Sequence, residues 1–255
     1  ARVLDSEIAK KRGEGSSGCG ALKARRVEGI YCMGVRTAAA LVSRYDEGAD
    51  RRVEDLTARP RMIEFFAGSG LVDCGLGEWF ETVWANDICA KKANVYTANH
   101  GFRVFHLGDI QDMTGSRIPA AQLSWASFPC QDLSLAGLTN GIEAERSGLV
   151  WQWLRVLDEM AVRPNVLVAE NVVGLVAAAD GKNYRQLHLA LQARGYRVGA
   201  VLLNASCFVP QSRPRIFVVA VADDVPIPAE LVDASPNWLH NDAIARVARD
   251  LPGWV

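Results

Sequence analysis

The chain has 255 residues, of which 49% are hydrophobic and 22% are charged, and its formal net charge is −1. This balance excludes an intrinsically disordered protein and supplies enough apolar residues for one large domain, or for one domain with an appendage. No apolar run approaches the length of a membrane span and no signal-peptide pattern is present, so we expect no membrane partner.

Charge is distributed unevenly along the chain. Residues 1–61 carry 13 Lys and Arg against 9 Asp and Glu, a net +4, whereas residues 62–255 carry 15 against 20, a net −5. The larger part therefore lacks the broad basic surface of a self-sufficient nucleic-acid-binding protein. Any affinity for DNA must come from a local face, from the N-terminal segment, or from protein outside this chain.

The six cysteines are scattered, with no Cys-x-x-Cys pair and no histidine at zinc spacing. This pattern indicates reduced thiols in a cytoplasmic protein and predicts neither a disulfide framework nor a metal site.

Residues 1–61 are predicted to form an N-terminal extension. Its first 25 residues are rich in Lys, Arg, Gly and Ser and are typical of a flexible segment. Apolar residues at helical spacing predict one helix over 35–44, which could dock on the main domain or belong to a helix-turn-helix. A charged linker over 46–60 leads into the next region.

From residue 62 onward, apolar strand patterns alternate with amphipathic helix patterns. Strands are predicted at 62–66, 82–85, 104–106, 123–127, 166–169, 197–203 and 215–221, and helices at 90–100, 149–161 and 184–194. The alternation predicts an α/β fold with a doubly wound, mostly parallel sheet over 62–222. Residues 223–255 are interpreted as the start of a linker. Ligands of such sheets bind beyond the carboxyl ends of the strands.

A glycine-containing turn, Phe66-Ala67-Gly68-Ser69-Gly70, follows the first strand. Glycine lets the backbone turn tightly and approach a ligand closely. The turn matches neither the Gly-x-Gly-x-x-Gly dinucleotide pattern nor a P-loop, so it indicates a nucleoside without phosphates.

Two acidic residues follow the next two strands. Asp87 is placed to accept hydrogen bonds from ribose hydroxyls, and Asp109 could accept one from an exocyclic adenine amine. Each acid alone is explained equally well as a solvated loop carboxylate or a helix cap. The turn and both acids at three consecutive strand ends together predict a pocket for S-adenosylmethionine.

A lone cysteine follows the fourth strand. Pro129 rigidifies the approach to Cys130, and a thiol on such a loop is where a nucleophile would stand. The alternative is a core cysteine, because free cysteine is among the most buried residue types.

Four blocks, in this order and spacing, closely resemble the DNA (cytosine-5)-methyltransferase family. They are Phe66-Ala67-Gly68-Ser69-Gly70, Phe128-Pro129-Cys130-Gln131, Glu170-Asn171-Val172 and Gln211-Ser212-Arg213-Pro214-Arg215. The resemblance covers about residues 62–222 and implies the Rossmann-like fold of S-adenosylmethionine-dependent methyltransferases. It further implies methyl transfer from S-adenosylmethionine to carbon 5 of a flipped-out cytosine in double-stranded DNA, through a cysteine adduct at carbon 6.

The resemblance also assigns roles that chemistry explains. Cys130 would add to carbon 6, because that addition makes carbon 5 nucleophilic, and Glu170 would protonate or hydrogen-bond ring nitrogen N3. Asn171 would hold the local loop. Arg215 would bind the cytosine carbonyl oxygen, with Arg213 supporting a phosphate or the loop. A structural ion pair with Glu170 is an alternative for the arginines and does not exclude the catalytic role.

Further residues are implied at two surfaces. Those implied for the cofactor are Phe66, Ala67, Gly68, Ser69, Gly70, Asp87, Ile88, Asp109, Ile110 and Pro129. Those implied for DNA are Gln131, Ser134, Arg146 and Gln211, three of them on a segment, 131–147, that looks like the loop closing over the flipped nucleotide.

The match departs from the family in places and leaves alternatives open. Leu133 stands where the family usually has phenylalanine, Leu71 where a second glycine is common, and only 33 residues follow position 222. We therefore expect a catalytic fragment, a split enzyme whose second chain carries target recognition, or a permuted chain with 34–44 as the returning helix. The same chemistry on transfer RNA, a regulatory subunit inactive without a partner, and a small-molecule methyltransferase are the rival functions. The target sequence is not readable from this chain.

Overall fold

The computed structural model describes residues 58–129, 148–232, 239–249 and 251. Within them, seven strands form one sheet in the order β3-β2-β1-β4-β5-β7-β6. The strands are β1 (Arg61–Phe65), β2 (Glu81–Asp87), β3 (Phe105–Leu107), β4 (Leu123–Ala126), β5 (Val166–Asn171), β6 (Tyr196–Asn204) and β7 (Pro214–Ala222).

Six α-helices accompany the sheet in the described part of the chain. They are α1 (Leu71–Leu76), α2 (Ala90–His100), α3 (Leu149–Asp158), α4 (Gly174–Ala177), α5 (Lys182–Gln192) and α6 (Asp242–Arg249). The prediction for α2 matches its bounds, and those for α3 and α5 overlap the observed helices. Helices α1, α4 and α6 were not predicted, because helices of 6, 4 and 8 residues are too short for a clear 3.6-residue period.

The predicted mostly parallel sheet is confirmed, and β7 is the exception to its direction. β1 to β5 pair in parallel, whereas β7 pairs antiparallel with both β5 and β6. The reversal follows from chain length, because β6 and β7 are joined by a connection too short for the crossover that a parallel pair needs.

The core is divided between the two faces of the sheet. On one face, Ile63 and Phe65 of β1 belong to a buried cluster with Trp153 of α3 and Leu187 of α5. Because side chains alternate along a strand, Met62 lies on the opposite face, in a cluster that includes residues of α1.

Helix α6 packs against the first of these clusters, the one that contains Ile63 and Phe65. Ile244 and Val247 are buried, and a Cβ atom on Gly181 would lie 2.5 Å from a methyl carbon of Val247. The domain boundary after residue 222 stays a prediction, and what the structure adds is that residues C-terminal to it join the core.

Several predicted features lie outside the described residues: the N-terminal helix over 35–44, Cys130, and the segment 131–147. No helix of the described ranges is both long and apolar enough to cross a membrane.

Candidate active site

The predicted site residues that the structure describes lie at the carboxyl ends of the parallel strands β1 to β5 or, for Gln211, Arg213 and Arg215, at the start of the antiparallel strand β7. The register pairs Phe65 with Asn86 and Ala126, and Ala126 with Ala169, so the segments after these strands meet along one edge of the sheet. This edge is where open α/β sheets bind ligands.

The turn after β1 is held in the left-handed region of backbone space. Phe66, Gly68 and Gly70 have φ values of 57°, 59° and 85°. A Cβ atom on Gly70 would lie 2.6 Å from the ring of His100, so this position has no room for a side chain. Phe66 carries a side chain in a region that disfavours one, which is backbone strain of the kind that gathers at ligand sites.

Asp87 at the end of β2 is buried and holds this turn. Its Oδ2 accepts a hydrogen bond of 2.9 Å from the Gly68 N–H, and its Oδ1 accepts one of 2.8 Å from the Cys89 N–H. Lys92 Nζ lies 3.9 Å from Oδ2. Because each carboxylate oxygen has two lone pairs, the carboxylate keeps acceptor capacity. Its predicted role toward a ribose stays a prediction.

Asp109 caps the 3-10 helix Ile110–Asp112. Its Oδ1 accepts a hydrogen bond of 2.9 Å from the Gln111 N–H, while Oδ2 accepts none within the described ranges. The Ile110 side chain is 3% exposed and packs in the core, whereas Ile88 is 66% exposed beside the strand ends. Of the two isoleucines implied for the cofactor, only Ile88 is exposed enough for its side chain to be available to a ligand.

Glu64 is a site candidate that sequence reasoning missed. It lies in β1 with 1% exposure, and no hydrogen-bond partner for its Oε2 exists among the described residues. Burial raises the pKa of Glu64 to about 8, and the nearby carboxylates of Asp73 and Asp87 add to the effect. The available signal was an acid inside an otherwise apolar strand.

Asp73 links α1 to β2 and α2 beside this carboxyl group. Its Oδ1 accepts a hydrogen bond of 2.7 Å from Thr82, and its Oδ2 accepts one of 3.1 Å from the Tyr96 hydroxyl. His100 Nδ1 lies 3.0 Å from the same Oδ2. Burial raises the pKa of Tyr96 above its ordinary value, so the hydroxyl remains a donor.

Glu170 and Arg215 meet at the ends of β5 and β7. Arg215 Nε lies 2.9 Å from Glu170 Oε1, and both side chains are about one-fifth exposed. The pair is possible because β7 runs beside β5 with Phe217 opposite Glu170, which puts Arg215 on the same face of the sheet.

Asn171 is buried and joins the ends of β5 and β4. Its Nδ2 donates a hydrogen bond of 3.0 Å to the Phe128 carbonyl, and its Oδ1 accepts one of 2.8 Å from the Val172 N–H. Phe128 is separated only by the exposed Pro129 from Cys130. Asn171 therefore fixes the backbone at the last described residues before the cysteine.

Asn204 organises the connection between β6 and β7. Its Oδ1 accepts hydrogen bonds of 3.1 Å from the Ser206 N–H and 2.8 Å from the Arg213 N–H. The Ala205 N–H donates to the Arg213 carbonyl at 3.2 Å. Arg213 and Gln211 are exposed on this connection.

Four residues with predicted roles cannot be placed, because Cys130, Gln131, Ser134 and Arg146 lie outside the described residues. The structure brings together the glycine turn, Asp87 and Asp109 at one part of the edge. It joins Glu170, Asn171 and Arg215 at another.

Comparison with known proteins identifies what this arrangement resembles. A family model described as C-5 cytosine-specific DNA methylase matches residues 60–251. Type II methyltransferase M.Bsp6I of Bacillus sp. (strain RFL6) is 34% identical over 164 residues, 62% of this chain and 51% of that protein. Type II methyltransferase M.BspRI of Lysinibacillus sphaericus is 39% identical over 148 residues, 57% and 34% of the two chains.

A solved structure supports the fold. The S. pombe Dnmt2 methyltransferase superposes with a TM-score of 0.53 at 25% identity, covering 65% of this chain and 50% of that one. The chain spans about half the length, or less, of these relatives.

Proposed function

Because the chain belongs to the C-5 cytosine-specific DNA methylase family, we propose that it methylates carbon 5 of cytosine in double-stranded DNA, with S-adenosylmethionine as methyl donor. The observation that carries the proposal is the Glu170–Arg215 pair at 2.9 Å, in which Glu170 lies on the strand next to the one that leads to Cys130 and Arg215 lies on β7 beside it. A carboxyl group and a guanidinium so placed suit the Watson–Crick edge of a cytosine.

The residues at the glycine turn fit the proposed cofactor. The unpartnered Oε2 of buried Glu64 needs a donor, and the ammonium group of S-adenosylmethionine is one. Oδ2 of Asp109 has acceptor capacity for an adenine amine, and the exposed Ile88 offers an apolar surface to a ring. When bound, S-adenosylmethionine supplies an electrophilic methyl group on a sulfonium sulfur.

In the proposed mechanism Cys130 forms a bond from its thiolate sulfur to carbon 6 of the cytosine. The ring electrons move toward carbon 5, which becomes nucleophilic enough to take the methyl group. Transfer of the proton on carbon 5 to solvent water then expels the cysteine, restores the ring double bond and regenerates the thiolate, and N3 returns its proton to Glu170. Because carbon 6 is covered within a duplex, the base must be extruded first.

Glu170 and Arg215 make the proposed addition favourable. Glu170 donates a proton or hydrogen bond to N3, which receives charge when sulfur adds to carbon 6. Arg215 donates to the carbonyl oxygen at carbon 2 and withdraws further charge. Their mutual contact keeps both groups in position before the base arrives. Asn171 would hold the loop that carries Cys130, through the hydrogen bond that it donates to the Phe128 carbonyl.

The test follows the covalent step. The full chain is incubated with S-adenosylmethionine and duplex DNA that contains 5-fluorocytosine, which cannot lose a proton from carbon 5 and so traps the adduct. We expect a DNA-linked protein with the unchanged chain and none with Cys130→Ser, while both bind S-adenosylhomocysteine. Adduct formation by Cys130→Ser would contradict the mechanism. Methyl transfer to transfer RNA but not to duplex DNA would contradict the substrate.

A further inference from the structure

We propose that Arg155 is a positioning residue for the adenine end of the cofactor, acting through the backbone that carries Asp109 and Ile110. The inference rests on the proposed function, because it concerns the same cofactor pocket. Arg155 lies on α3, on a helix to which the sequence assigns no role in the site.

The Arg155 side chain binds backbone carbonyls of the segment after β3, residues 108–115. Its Nη2 donates hydrogen bonds of 3.1 Å to the Ile110 carbonyl, 3.3 Å to the Gln111 carbonyl and 3.1 Å to the Met113 carbonyl, and because Nη2 carries two hydrogens, one of them is shared between two carbonyls. These carbonyls follow the end of β3, and the Ile110 carbonyl also accepts a hydrogen bond of 3.1 Å from the Met113 N–H. A guanidinium can bind them through Nη2 while Nε and Nη1 remain available to other acceptors.

The other donors of Arg155 fix its own orientation. Nε donates to Gln152 Oε1 at 2.7 Å, and a terminal nitrogen donates to Glu159 Oε1 at 2.6 Å. Glu159 Oε2 in turn accepts a hydrogen bond of 2.9 Å from the Gly115 N–H. That bond and Arg155 hold the pKa of Glu159 below its ordinary value, so the carboxylate remains an acceptor.

The backbone of this segment packs directly on α3. A Cβ atom on Gly115 would lie 2.0 Å from the Val156 carbonyl oxygen, so only glycine permits the approach. The sheet holds the segment on its other side, where Asn86 Nδ2 donates to the His106 carbonyl at 2.8 Å and the Gly108 carbonyl at 2.9 Å. Asp109 lies between these two attachments.

This arrangement determines where the free oxygen of Asp109 points. Asp109 Oδ1 is bound to the Gln111 N–H, and the Gln111 carbonyl is bound to Arg155. If Arg155 released the segment, the cap would move with it, and Oδ2 would no longer be held toward one ligand position. The consequence is an increased entropic cost of binding the adenine amine, with no contact between Arg155 and the cofactor itself.

The test compares Arg155→Met with Arg194→Met in the full chain. Arg194 is a matched control, because like Arg155 it combines an ion pair with a hydrogen bond to a backbone carbonyl. It lies 2.7 Å from Asp158 of α3 and donates to the Ala190 carbonyl at 2.8 Å. Among the described residues it makes no hydrogen bond to the segment after β3. Arg155→Lys, which keeps the charge and one nitrogen with several donors but loses the bonds of Nε to Gln152 and Nη1 to Glu159, is the second variant in case Arg155→Met does not fold.

Two readouts are measured without turnover: the dissociation constant of S-adenosylhomocysteine by calorimetry, and hydrogen exchange of the amides of 110–115. For Arg155→Met we expect affinity to fall about tenfold, the loss of roughly one well-formed hydrogen bond, with faster exchange at these amides. Arg155→Lys is expected to lose less, and Arg194→Met to bind within about twofold of the unchanged chain.

Each result decides between explanations. Unchanged affinity in Arg155→Met or Arg155→Lys, or an equal loss in Arg194→Met, would overturn the positioning role and leave a general stabilising role for Arg155. Failure of the unchanged chain to bind S-adenosylhomocysteine at all would instead overturn the proposed function, and this inference with it.

Discussion

Arg215 Nε and Glu170 Oε1 lie 2.9 Å apart, across two strands that run in opposite directions. The ion pair and the proposed catalytic pair are therefore the same contact. A partly exposed ion pair contributes little to stability, so its effect on chemistry and its effect on folding can be separated by experiment.

Replacing Glu170 with glutamine should lower methyl transfer by about 10² to 10⁴-fold, the range of a lost general acid. The amide keeps the size of the side chain but cannot deliver a proton to N3. Binding of S-adenosylhomocysteine should stay within about twofold, because the glycine turn and Asp109 are unchanged. Methyl incorporation and calorimetry measure the two effects, and near-normal methylation would refute the assignment.

The two arginines at the start of β7, Arg213 and Arg215, should affect different properties: turnover in one case and DNA binding in the other. Arg215→Ala should depress the turnover number, because Arg215 meets the proposed acid, whereas Arg213 is exposed on the connection held by Asn204. Arg213→Ala should weaken DNA binding and reduce the slope of log affinity against log salt by about 1, as expected for one lost phosphate contact. Titrations at several salt concentrations, with steady-state kinetics, provide the comparison. An equal loss of turnover in both variants would show that the division is wrong.

Asn171→Ala should destabilise the protein and slow adduct formation together. The Phe128 carbonyl would lose its donor, and leaving a buried polar group unpaired costs about 1–3 kcal/mol. Urea denaturation measures the stability, and trapping with 5-fluorocytosine DNA measures the adduct. Asn204→Ala is a useful comparison because it loosens the connection between β6 and β7 and leaves the Phe128 carbonyl bound. A normal adduct rate in Asn171→Ala at a temperature where it is folded would argue against a role in holding the cysteine loop.

Glu64 should make both stability and cofactor binding depend on pH. Its pKa rises from 4.5 to about 8 on folding, so the folded chain binds the proton more tightly than the unfolded chain does. The free energy of unfolding should therefore decrease as pH rises from about 4.5 through about 8. Glu64→Gln should flatten this part of the curve, and the exposed control Glu81→Gln should not.

Cofactor binding at Glu64 has the opposite dependence. The ammonium group prefers the ionised carboxylate, so affinity for S-adenosylhomocysteine should increase with pH up to about 8 in the unchanged chain and not in Glu64→Gln. Melting temperature and calorimetry between about pH 5 and pH 9 cover both expectations. Parallel curves for the two proteins would mean that Glu64 does not titrate as proposed.

Gly70→Ala should abolish the geometry of the turn after β1. Gly70 has φ 85° and a Cβ atom there would meet the His100 ring at 2.6 Å, whereas Gly195 has φ 82° and a Cβ atom there would make only an ordinary contact of 3.8 Å with Asp223. Gly195→Ala therefore isolates the cost of a positive φ, about 1–2 kcal/mol, from steric overlap. We expect Gly70→Ala alone to lose S-adenosylhomocysteine affinity in addition to melting temperature. Similar affinity in the two variants would mean that the turn tolerates a side chain.

Much of the fold could be predicted because local pattern and strand order agree. The β-branched and apolar run at 166–169 is typical of a strand, and the amphipathic period at 90–100 is typical of a helix. The direction of β7 could not be predicted, since strand polarity depends on which neighbour a strand finds. Helices α1 and α4 could not be predicted either, because their length comes from packing on a finished sheet more than from propensity.

Sequence alone determined the chemistry that is available: a thiol at Cys130, an acid at Glu170, guanidinium groups at 213 and 215, and a glycine-containing turn at 66–70. These depend on residue types in short segments, and such information is local. Only the tertiary structure decided that Arg215 faces Glu170, that Asp87 holds Gly68, and that Arg155 reaches across from α3 to the segment of Asp109. The physical reason is that the residues of each pair are 19 to 45 positions apart along the chain, and only packing brings them within hydrogen-bond distance.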